Sequence, residues 1–153
     1  MSIEQQDSGA VVVIAPVASS GSATYFASFD GAGFEYAVID FMSGVYSVDM
    51  PSVLNIADCD VTTTASFVTV TGGSATSNLS TSTFQNSITR FQIDLRSRKR
   101  YIALNATMGT TTGVVACVAR LSRSAQSRDT AALQSIKRTG NTVANVNSIT
   151  RIA

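Results

Sequence analysis

Histidine and tryptophan are absent from this 153-residue chain, and charged residues make up only 14 % of it. Without histidine the chain lacks the side chain whose pKa lies nearest neutrality, the most common general acid–base group. No Gly-rich phosphate loop, nucleophile elbow or Cys/His metal spacing is present. The sequence therefore points to a protein that is not an enzyme, with no catalytic residue, no metal ligand and no cofactor. No uninterrupted apolar run approaches the roughly 20 residues of a membrane span. The N-terminus carries Glu4 and Asp7 where a secretory signal would need positive charge. The two cysteines, Cys59 and Cys117, each fall within an apparent strand. They read as buried free thiols in a reducing compartment, although a single disulfide also fits the sequence.

Basic residues are missing from the whole first part of the chain: the first is Arg90. All eight charges before it are acidic, namely Glu4, Asp7, Asp30, Glu35, Asp40, Asp49, Asp58 and Asp60. From Arg90 onward eleven Lys or Arg face only Asp94 and Asp129. Such a split points to a charged partner, a charged tail, or copies meeting acidic face to basic face. Complementarity of that kind sets register and steers assembly more than it adds affinity. The alternative is a compact fold that intermixes both signs. Serine and threonine take the place of charge, and a surface of short hydroxyl side chains has little entropy to lose when a neighbour covers it.

The chain is long enough for one domain with a real core. Short period-two segments separated by Gly, Ser, Thr and Asn predict strands at 11–15 (ended by Pro16), 24–29, 34–42, 45–50, 53–61 and 66–71. The last runs into Gly72-Gly73. The later part predicts an antiparallel meander of 90–95, 101–108 and 114–121. Phe91, Ile93 and Leu95 alternate there with Arg90, Gln92 and Asp94, and the first turn is the cluster Arg96-Ser97-Arg98-Lys99-Arg100. Core positions are expected at Phe91, Ile93, Leu95, Ile102, Leu104, Val115 and Cys117. The fold class is all-β, an antiparallel β-sandwich or jelly roll of seven to nine strands.

Residues 1–123 form that domain in this reading, and 124–153 form a C-terminal helix and arm. A short helix is expected at 130–138, with Gly140 as its stop. Beyond it Val143, Val146, Ile149 and Ile152 recur every third residue among asparagines. They read either as a disordered tail or as an arm docking on a neighbouring subunit. Residues 72–87, nearly all Ser, Thr, Asn and Gly apart from Leu79 and Phe84, predict a long surface loop. Asp58 and Asp60 share a strand face, but two carboxylates are too few for a calcium site. The cluster Arg96, Arg98, Lys99, Arg100 reads either as a solvated turn or as a contact to an acidic protein surface. Nucleic acid is not the expected partner, because only Tyr101 adjoins the cluster.

Residues 36–122 resemble a loose family of small tailed-bacteriophage virion proteins encoded among head genes. The likeness rests on the strand Tyr36-Ala37-Val38-Ile39-Asp40-Phe41 and on Ile93-Asp94-Leu95-Arg96-Ser97-Arg98-Lys99-Arg100-Tyr101-Ile102. It continues in a Thr/Gly hairpin leading to the strand 114–123, which closes in Leu-Ser-Arg. The resemblance implies a β-sandwich capsid decoration or cement protein, located in the virion and made in the host cytoplasm. Its implied partners are the major capsid protein and further copies of itself, as a homo-oligomer on the particle. The chain departs from the family pattern at 57–73, where members often carry an acidic, aromatic segment, and in its long tail after Arg123. The competing function is a receptor- or glycan-binding module on a virion fibre or tail, using the 72–87 loop. The absence of tryptophan weakens the glycan case.

Overall fold

A computed structural model describes residues 8–45, 51–75, 86–109, 112–123 and 145–152, the last of these as backbone. Among the described residues nine strands form: β1 Ser8–Ser19, β2 Thr24–Asp30, β3 Tyr36–Ser43, β4 Val53–Cys59, β5 Val68–Ser74, β6 Ser87–Asp94, β7 Tyr101–Thr107, β8 Gly113–Ser122 and β9 Asn145–Ile152. The helical pieces among the described residues are two single turns, Thr64–Ser66 and Leu95–Ser97. None is long and apolar enough to cross a membrane. The expected helix at 130–138 and most of the 72–87 loop lie outside the described residues.

The strands make two antiparallel sheets of four, β1-β8-β3-β6 and β2-β7-β4-β5, and β9 joins the β6 edge of the first in parallel. One core lies between them, with Ile39, Phe41, Phe91, Ile93, Val115 and Cys117 contributed by the first sheet. Leu54, Ile56, Ile102, Leu104 and Ala106 come from the second. All seven expected core positions are buried. Alternation alone placed them, because a strand covered on one face must point every second side chain inward.

The expected meander is not there. β6 and β8 lie in one sheet and β7 in the other, and β7 pairs with β2 and β4 instead. Among the described strands, only β4 and β5 are neighbours both along the chain and in a sheet. Period-two alternation reports which face is buried, and a strand buried on one face fits either sheet equally well. The links decide. Packed sheets lie about 10 Å apart, and the six residues 95–100 cover that distance readily. Leu95 is buried at the start of this link, and its N–H donates to the Glu35 carbonyl at 2.7 Å. At its far end the Arg100 carbonyl accepts from Gly31 N–H at 2.9 Å, which ties the crossing to both layers.

Several strand ends also differ from expectation. β1 does not stop at Pro16 but runs to Ser19, with register shifts between Val12 and Ile14 and between Ile14 and Val17. Pro16 sits inside the second shift, where the missing N–H interrupts no ladder bond. β4 ends at Cys59 and not at residue 61. β5 begins at Val68 and continues through Gly72-Gly73, which were expected to end it. Pairing jumps there from Ala57↔Thr69 to Asn55↔Ser74, so β5 carries a bulge that Gly72 accommodates at φ +77°. A Cβ on Gly73 would stand 2.9 Å from the Val70 carbonyl oxygen and 3.1 Å from that of Ile56.

Cys59 and Cys117 are free, buried and in opposite sheets, on β4 and β8. Burial, with a smaller contribution from the Asp40 charge, pushes the Cys117 thiol up to about 12. At neutral pH it is a small apolar filler and not a nucleophile.

Candidate functional site

The fold gathers opposite charges that the sequence holds apart. Asp40 on β3 stands opposite Arg90 on β6, with Arg90 Nε donating to Asp40 Oδ1 at 2.6 Å and Nη2 to Oδ2 at 3.1 Å. Arg120 on β8 reaches the same carboxylate diagonally, at 2.8 Å. At one end of the molecule Asp30 accepts from Arg100 Nη2 at 2.7 Å. Each of these bonds joins an acid from the first part of the chain to a base from the last. At Asp30 and Asp40 the fold thus brings the two signs together within one chain, by register.

Two arginines of the basic turn are also paired within the chain. Asp94 accepts from the Arg96 backbone N–H at 3.1 Å and from Arg96 Nε at 2.9 Å, and the guanidinium lies 5.0 Å from the Tyr36 ring centroid. The hydrogen bond from Arg96 holds the Asp94 carboxyl at about 2, below its ordinary 3.8. Arg100 lowers Asp30 likewise, and lies 5.1 Å from the Tyr101 ring centroid. A carboxylate with a depressed pKa stabilises the fold above its unfolded pKa. That contribution is lost as the pH falls from about 4 toward about 2 for Asp94. Both pairs are solvent-exposed, so the gain is small. Of the four turn residues singled out by sequence, Arg96 and Arg100 are therefore engaged within the chain, Arg98 is half-buried and Lys99 is exposed.

The outer face of the β1-β8-β3-β6 sheet carries a different signal. Alternation turns Val12, Val114, Val118, Val38, Met42 and Ile88 away from the core, where an exposed sheet face would ordinarily be polar. Val12 is 63 % and Val114 51 % exposed. In their midst the Asp40 and Arg90 side chains are only 13 % and 15 % exposed. An apolar surface enclosing a satisfied ion cluster has the make-up of the buried centre of a protein contact. Sequence pattern placed Arg90 on a polar face but gave no signal for its union with Asp40 and Arg120, because that depends on strand order.

The outer face of the other sheet is built differently. Phe26 on β2 and Phe67, just before β5, meet edge to face with ring centroids 5.2 Å apart. Their strands are separated by β7 and β4, about 14 Å at ordinary strand spacing. Between those strands Ala57 and Ala103 pair on the outward side and are themselves buried. Beside them Asn55 and Asn105 stand opposite each other, each with a buried side-chain oxygen lacking a hydrogen bond.

The remaining sequence candidates are dispersed. Asp58 is half-buried near the end of β4, and Asp60 follows beyond the strand, exposed. No group of three or more Cys, Asp or Glu converges among the described residues. Val146, Ile149 and Ile152 fall on β9, at the register positions of Ile88, Arg90 and Ile93, so the arm segment is a strand on the chain's own sheet. Val143 lies outside the described residues. No family model, no curated protein and no solved structure matches the chain.

Proposed function

We propose that the chain is a structural protein of a virus particle, a capsid decoration or cement protein whose two sheets form a β-sandwich. It binds the head lattice through protein contacts, with the major capsid protein and neighbouring copies as partners. The observation that carries this reading is the apolar outer face around Asp40, Arg90 and Arg120. Its charges are satisfied within the chain, so covering it strips water from valines and from few unpaired ions. The scarcity of long charged side chains lowers the ordering cost of that contact. The resemblance of residues 36–122 to phage head proteins supports the choice of partner.

The contact face is separable from the core by mutation. Replacing both Val12 and Val114 by Lys should leave folding nearly unchanged, because both side chains are already more than half exposed. It should weaken sedimentation of the purified protein with capsids by tenfold or more, about 1.4 kcal/mol, since each Lys would have to be desolvated against an apolar partner. Binding equal to that of the natural chain would remove this face from the proposal.

A further inference from the structure

We infer that β9 is an exchangeable strand, able to leave its own sheet and occupy the β6 edge of a second copy of this chain. The inference deepens the reading above, on which copies sit side by side on a lattice, by naming the bond between them. β9 is the one parallel strand in the two sheets, paired with β6 from Ser87↔Asn145 to Ile93↔Ile152. Without it, β6 would present an eight-residue edge of unpaired backbone groups, which attracts strands from other chains. The bonds that fill this edge come from main-chain atoms. They are identical whichever copy supplies the strand, so exchange costs little in contacts.

Chain length leaves the choice open. β8 ends at Ser122, level with Asp94 across the sheet, whereas β9 begins level with Ser87. The chain must travel back about 23 Å and cross three strand spacings, about 14 Å, a direct distance of about 27 Å. The 22 residues between Ser122 and Asn145 can extend to about 75 Å. The link is thus far longer than its own sheet requires, and the tether does not dictate which β6 the strand takes. What favours the chain's own edge is effective concentration, of the order of millimolar for a tether that spans its two sites. Neighbours packed on a surface reach comparable local concentrations, so assembly itself would promote exchange.

Cysteines at the register pair Gln92↔Arg151 test this in the purified protein, with no particle involved. Adjacent strands lie within disulfide range, and the natural cysteines are buried. Gln92→Cys and an isotope-labelled Arg151→Cys would be mixed at about 1 mM, the tether's effective concentration, and oxidised with oxidised glutathione. Each single variant alone serves as the control. The double variant Gln92→Cys, Arg151→Cys would be oxidised in parallel, dilute and concentrated. Exchange predicts a mixed-isotope disulfide dimer at high concentration, together with intrachain closure of the dilute double variant. Intrachain closure without any mixed dimer would overturn exchange. Failure of both would overturn it by showing that β9 does not hold this register. Neither negative result bears on the protein's abundance in particles, so exchange can fail while the virion reading stands.

Discussion

Replacing Ile93 by Ala should destabilise the protein by about 2–4 kcal/mol, the cost of deleting a large buried aliphatic side chain and leaving a cavity. Ile93 is 2 % exposed, near the end of β6, and joins the core cluster that spans both sheets. At this chain length the loss corresponds to a fall of about 5–15 °C in melting temperature, readable by circular dichroism. The neighbouring outward residue gives the control. Gln92→Ala should shift the melting point little, because its side chain faces away from the core. Equal losses at the two positions would mean that the inward and outward faces of β6 are misassigned.

The second large effect belongs to Asp40. Its carboxylate receives both Arg90 and Arg120, and Asp40→Ala would leave two guanidinium groups facing each other on one sheet, one of them largely buried. Breaking a fully buried pair costs about 3–5 kcal/mol. Here roughly 2–3 kcal/mol is expected, because Arg120 stays half exposed to solvent. The loss is mainly that of an uncompensated ion. Asp40→Val combined with Arg90→Met should therefore recover most of the stability lost in Asp40→Ala, as measured by urea unfolding. A double variant as unstable as the single one would show that the ion cluster is itself the source of stability.

These two residues also mark how far the sequence could be read. Ile93 was legible because alternation is a local property: Phe91, Ile93 and Leu95 point inward whichever strands lie beside them. Asp40 was not. Its partners come from β6 and β8, and strand order is set by links crossing between sheets, which leave no trace in the period of side chains. The same gap turned three consecutive strands into a supposed meander. The split of charge along the chain likewise fitted complementary faces or an intermixed fold equally well, and gave no sign that Asp40 meets Arg90 and Arg120, or Asp30 meets Arg100, within one molecule. Pro16 and Gly72-Gly73 were read as stops because breakers usually are; in β1 and β5 they sit instead at irregularities that let the strand continue. The Phe26–Phe67 pair gave no signal, since its two rings are far apart in sequence.

Mass spectrometry with labelled peptide standards, counting this protein in purified particles of the phage proposed to carry it, tests the proposed virion role most directly. A decoration protein bound through its sheet face should be present in proportion to the major capsid protein across the shell. Presence at only the few copies of a fibre or tail module, or absence from the particle, would contradict it.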